Sequence, residues 1–164
     1  MKRINPEYVR SVAELVNRSP YFTLISMGIE TFGWGESRLV VEIEEGHLQP
    51  FGMVHGGVFS SLIDAAAFWA VYPCMDEDDG LTTVEMKLNY LAPAAEGRLV
   101  GTGRSIKVAR TLCLGEASVS NEEGRLLAHG TVTLMRIPSM KLEAGEPLPP
   151  KFLPASPSPS GTVV

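Results

Sequence analysis

Cysteine is scarce: only Cys74 and Cys113 occur in 164 residues, and neither belongs to a CxxC or metal-like spacing. Reduced, partly buried thiols are expected, and a disulfide framework is not. Positive charge is also short. Fourteen Lys and Arg against nineteen Asp and Glu leave a net charge of −5, which argues against a nucleic-acid binder. A few local Lys or Arg residues still allow a phosphate-bearing small ligand. The N-terminal MKRINPEYVR lacks the apolar core of a signal peptide. No apolar run reaches the roughly 18 uncharged residues of a membrane span, because Ser60, Ser61 and Asp64 interrupt the best one. A cytoplasmic location is therefore expected. There is no G-x-S-x-G elbow for a serine nucleophile. No grouping of His, Cys and acidic residues has ligand spacing, so neither metal nor cofactor is expected.

What is present reads as one domain with a core and two appendages. Pro6 to Asn17 carries Tyr8, Val9, Val12, Leu15 and Val16 at helical spacing, and Pro20 closes it, giving an N-terminal helical segment over 1–20. Strand-like runs follow at Gly28 to Phe32 and Ser37 to Ile43, joined by the Gly33-Trp34-Gly35 turn. Four more strands are expected at Thr82 to Leu91, Arg98 to Val108, Leu112 to Ser120 and Arg125 to Met135. In the first of these, Val84, Met86, Leu88 and Tyr90 share one face, and Thr83, Glu85, Lys87 and Asn89 the other. The short connections at 109–111 and 121–124 imply antiparallel hairpins. Seven of the twelve prolines lie between Pro138 and Pro159, so residues 137–164 read as a flexible tail.

Between the two sets of strands lies HGGVFSSLIDAAAFWAVY, His55 to Tyr72, a helix apolar on almost every side with one charge, Asp64. Such a helix has to be wrapped, and a curved antiparallel sheet is the element available to wrap it. Val58, Phe59, Leu62, Ile63, Ala66, Trp69 and Ala70 form one broad face. Asp64 lies opposite, near Ser60, Ala67, Phe68 and Val71. One reading makes this the solvated face of an ordinary amphipathic helix. The other places Asp64 in a crevice under a second subunit, which also accounts for Phe68, Val71 and Ala67. At the entrance, free N–H groups and the helix dipole meet two glycines that leave room for a ligand carbonyl. Gly56 or Gly57 is thus a candidate oxyanion donor.

The stretch Gly52-Met53-Val54-His55-Gly56-Gly57 followed by Asp64 resembles the hot-dog-fold acyl-CoA thioesterases of the phenylacetate-degradation type. Thr83-Val84-Glu85-Met86-Lys87-Leu88-Asn89-Tyr90-Leu91 before Pro93-Ala94, and Gly124 to Ala128, are similar to the same family. The resemblance spans about residues 25 to 136. It implies an α+β hot-dog fold over 21–136, with a long central helix wrapped by a curved antiparallel sheet. It further implies a homodimer or homotetramer with its active site at the subunit interface.

By position, Asp64 matches the catalytic carboxylate, a general base or nucleophile, and Gly56 the oxyanion glycine, with Gly57 beside it at the substrate. His55 matches the histidine beside the thioester and Gln49 the amide near the attacking water. Thr83, supplied by the partner subunit, matches a Ser/Thr that positions the nucleophile. Lys107 and Arg110 are the basic residues left near a coenzyme A phosphate, and Phe68 offers aromatic surface to the acyl group. His47 and His129 read as locally bonded or structural. The expected function is acyl-CoA hydrolysis. The alternative is a non-catalytic acyl-CoA-binding module, which has no need of a carboxylate near the carbonyl. A hot-dog dehydratase calls for a differently spaced Asp/His pair than this chain carries.

Overall fold

The computed structural model describes residues 2–154. Six strands form one antiparallel sheet: β2 (Met27–Gly33), β3 (Glu36–Glu42), β4 (Gly80–Tyr90), β5 (Arg98–Lys107), β6 (Leu112–Ser120) and β7 (Leu126–Ile137). Their order across the sheet is β2-β3-β5-β6-β7-β4, so β2 and β4 are the edges. The central helix α3 (Gly56–Val71) lies on one face of this sheet. It buries Val58, Phe59, Leu62, Ile63, Ala66, Ala67, Trp69, Ala70 and Val71. This is the hot-dog arrangement. Gly56–Cys74 is long and apolar enough to cross a membrane by composition, but 67% of that window is buried inside this fold. Wrapping by the sheet accounts for its hydrophobicity.

Close approach of α3 to the sheet depends on residues without side chains. A Cβ on Gly103 would overlap the Ala66 carbonyl, and one on Gly101 would come within 2.7 Å of Leu62 Cγ. In the space left beside Gly103, Ser37 Oγ donates to the Ala66 carbonyl at 2.6 Å. Ala67 and Val71 were expected on the face turned away from the core; both are fully buried instead. A Cβ on Gly115 of β6 would meet both residues at about 3.2 Å. The sheet curls far enough around the helix to cover them without a second subunit.

Strand β4 departs from simple alternation. Its pairing with β7 shifts between Thr83 and Glu85, leaving Val84 as the extra residue of a bulge. A bulge reverses the in/out parity beyond it. Met86 and Leu88 stay against the core as expected, but Val84 turns out to solvent at 50% exposure and Thr83 turns in toward α3.

The flanks are more ordered than composition suggested. Helix α1 (Pro6–Asn17) is capped by the Asn5 side chain, which accepts the Glu7 N–H, and buries Tyr8, Val12 and Val16. A short helix α2 (Pro20–Leu24) follows. The segment expected as a flexible or extended tail is docked at its described end. Strand β8 (Phe152–Leu153) pairs antiparallel with β1 (Arg3–Ile4), and Asn5 bonds both the Lys151 and Pro150 carbonyls. Lys151 is wholly buried. Its Nζ donates to the Tyr72 carbonyl at 2.9 Å and stands 4.3 Å from the centre of the Tyr72 ring. Burial holds this ammonium down at about 8, below the ordinary lysine range. A two-residue strand and one buried lysine among prolines have no periodicity, so the composition alone read as a tail. The remainder of that tail, 155–164, lies outside the described residues.

Lys151→Ala leaves the Tyr72 carbonyl without this donor and opens a void, at a cost of about 1–3 kcal/mol. Faster amide exchange at Phe152 and Ile4, with the α3 amides unchanged, is the expected outcome.

Candidate active site

Two clusters of polar groups lie on α3, at its entrance and at its middle. The entrance is built by a loop closed through the Leu48–Val54 bridge. Gln49 forms a tight turn there, its Oε1 accepting the Phe51 N–H at 2.7 Å and its own N–H bonding the Met53 carbonyl. His55 then caps the helix, and its Nδ1 accepts the Gly57 N–H at 2.9 Å. A Cβ on Gly57 would stand 2.9 Å from that nitrogen, so glycine here makes room for the imidazole. The Gly57 N–H is therefore occupied. Among the described residues, no protein acceptor takes the Gly56 N–H. Of the two candidate oxyanion donors, Gly56 is the free one. A cleft of about 410 Å³ opens beside it, lined among others by Gln49, Met53, Gly56, Phe59, Tyr90 and Pro93.

Two turns on, Asp64 is half-buried, and Thr83 Oγ1 donates to its Oδ1 at 2.7 Å. Desolvation raises the Asp64 carboxyl above the usual aspartate range, and the Thr83 bond pulls it part of the way back. A desolvated carboxylate held by one donor keeps its second oxygen free to take a proton. Thr83 was expected from a partner subunit; it reaches Asp64 from within the same chain. The bulge at Val84 is the reason, because it turns Thr83 to the helix face.

One chain does not bring the two clusters together. Gly56 and Asp64 are eight residues apart on one helix, about 12 Å at a rise of 1.5 Å per residue. Phe68, one turn beyond Asp64, stacks on Tyr72 with ring centres 5.9 Å apart. Lys107 and Arg110 are exposed and line a separate groove with Leu112 and Leu114, where β5 turns into β6. His47 is buried, its Nδ1 accepting the Glu44 N–H at 3.1 Å, and His129 Nε2 lies 3.8 Å from Glu116. The His129 contact lies away from the helix entrance, whereas the His47 carbonyl accepts the His55 N–H there at 2.8 Å. Tyr90 is the residue the sequence reading passed over. It was placed only as the last of four alternating residues on β4, yet its hydroxyl donates to the Gly56 carbonyl at 3.2 Å.

The chain matches the model of the thioesterase superfamily over residues 51–128. It is similar to acyl-coenzyme A thioesterase 13 of Mus musculus, 26% identical over 129 residues that cover 76% of this chain and 91% of that protein. It is also similar to the 1,4-dihydroxy-2-naphthoyl-CoA hydrolase of Listeria monocytogenes, 28% identical over 66% of this chain and 90% of the relative. Among solved structures, a thioesterase family protein from Silicibacter pomeroyi superposes with a TM-score of 0.73 at 30% identity, covering 80% of this chain and 98% of that one. With the hot-dog fold, the glycine-entered helix and this breadth of coverage, the chain belongs to the thioesterase superfamily and is a thioester hydrolase.

Proposed function

We propose that the chain hydrolyses acyl-CoA thioesters in a site assembled from two copies of itself. The observation that carries this reading is Asp64, a desolvated carboxylate on an apolar helix, held by Thr83 and, among the described residues, with no donor on its second oxygen. The two relatives named above act on coenzyme A thioesters by their names, which supports that substrate class.

In this reading Asp64 acts as the general base. It takes a proton from water as the water oxygen bonds to the thioester carbonyl carbon. The carbonyl oxygen becomes an oxyanion facing the Gly56 N–H at a helix N-terminus, where the backbone field favours negative charge. Collapse breaks the C–S bond, and the leaving sulfur takes the proton back to give free acid and thiol. The separation of about 12 Å means that Gly56 and His55 of one copy work with Asp64 and Thr83 of another. Support for pairing comes from the free outer edge of β4 and from the apolar residues exposed near it and the helix entrance: Val84, Tyr90, Leu91, Phe51 and Met53.

A panel of acyl-CoAs of varied chain length and aryl character, assayed by thiol release, tests the activity. Tight binding without release from any of them favours the non-catalytic module. Solution mass is expected at two or four chains, and a fully active monomer overturns the shared site.

The pH profile supplies a second prediction. Thr83→Val keeps the shape but removes a hydrogen bond to a charged group, worth about 1.5–3 kcal/mol. Because that bond favours the ionised carboxylate, its loss moves the Asp64 pKa further up. The acid limb of kcat/KM shifts to higher pH, and turnover near neutrality falls. An unmoved acid limb would mean that this limb does not report Asp64.

A further inference from the structure

Two hydrogen bonds and the peptide unit between them form one continuous path at the helix entrance. The Tyr90 hydroxyl donates to the Gly56 carbonyl at 3.2 Å. That carbonyl shares a peptide unit with the Gly57 N–H, which donates to His55 Nδ1 at 2.9 Å. A nitrogen that accepts a hydrogen bond carries no proton, so the neutral ring bears its hydrogen on Nε2. Donation into the carbonyl also polarises the peptide and strengthens its N–H as a donor.

The Tyr90 ring is held in its turn. It meets Phe59 edge-on with centres 6.2 Å apart, and a Cβ on Gly56 would stand 3.0 Å from Tyr90 Cζ and Oη. Glycine at 56 thus admits the tyrosine on one side as well as a ligand on the other. Among the described residues, the hydroxyl's hydrogen bond goes to that one carbonyl.

We propose that Tyr90 is a positioning residue: through the Gly56–Gly57 peptide it orients His55 and holds it in the Nε2–H tautomer. His55 can then offer Nε2–H as a second donor beside the Gly56 N–H. The catalytic consequence rests on the thioester-hydrolysis reading above; the tautomer does not.

Tyr90→Phe keeps the ring contacts and removes only the hydroxyl. The three histidines can be labelled with ¹⁵N and read by NMR in the full chain. His47 serves as an internal reference, since its Nδ1 also accepts a backbone N–H. The wild type is expected to show His55 as Nε2–H, and Tyr90→Phe to show a mixture of both tautomers. With the best acyl-CoA of the panel, kcat is expected to fall about threefold to tenfold, as loss of one neutral hydrogen bond implies, with KM nearly unchanged.

The same substitution in a His55→Asn background, which retains a capping side chain, is expected to add no further loss. An unchanged His55 tautomer in Tyr90→Phe overturns the proposal. So does an equal fall in kcat in both backgrounds, which would make Tyr90 a packing residue acting independently of His55. A wild type that hydrolyses no thioester sinks the functional reading instead, and the NMR comparison still decides the relay.

Discussion

Asp64→Asn is expected to lower thioester turnover by about 10²–10⁴-fold, the range for removing one general base, while raising the melting temperature. The substitution is nearly isosteric, and the Asn oxygen still accepts the Thr83 hydroxyl. What disappears is the ability to take a proton from water near neutral pH. The gain in stability follows from burial. Desolvation raises the folded-state pKa of Asp64 above its ordinary value. Between the ordinary and the raised value the folded protein binds more protons than the unfolded chain, so stability falls as pH rises through that window. Above it the wild type carries the full penalty of a desolvated charge, and the amide does not. Thiol release and thermal melts across pH read the two effects separately. A variant that turns over at close to the wild-type rate removes Asp64 from the mechanism. One that is inactive but melts well below the wild type makes the carboxylate structural.

The second large effect concerns the fold. Gly103→Ala is expected to destabilise the domain by about 3 kcal/mol or more, at the upper end of overpacking substitutions. The added Cβ would overlap the Ala66 carbonyl and stand 2.5 Å from Ser37 Oγ. The first of these is helix backbone, which cannot turn aside as a flexible side chain does. Relief requires lifting α3 from β5, which also breaks the Ser37 bond to Ala66 and opens the contact at Gly101. For a chain of this size the fall in melting temperature is about 6–12 °C. Gly145, with open space around its Cβ position, is the matched control, and Gly145→Ala is expected to melt within a degree or two of the wild type. Equal melting of the two variants would mean that the close seat of α3 is not required.

Much of the architecture was legible before any coordinates. Helix period, strand alternation and short hairpin loops are local signals, and they placed α3 and six strands with ends off by a few residues. The His55-Gly56-Gly57 entrance and the lone charge of Asp64 stood out for the same reason, since both break a pattern that is otherwise apolar. Thr83 was found, but its place beside Asp64 of the same chain was not, because nothing local announces that Val84 is an extra residue between two registers. Tyr90 was hidden by fitting its strand too well. The docked segment ending in β8 was missed because its order comes from Asn5, Tyr72 and Asp76, residues far away in sequence.

By itself, then, the sequence determined the elements and the chemistry on offer: a buried helix, a glycine-rich entrance and one carboxylate that such a helix does not carry without use. The tertiary structure decided which groups are free. The cap by His55 uses the Gly57 N–H and leaves that of Gly56, and the bulge in β4 brings Thr83 to Asp64. The length of one straight helix keeps those two halves apart. Periodicity is written residue by residue along the chain, whereas hydrogen-bond partners and distances are set only when distant segments close on one another.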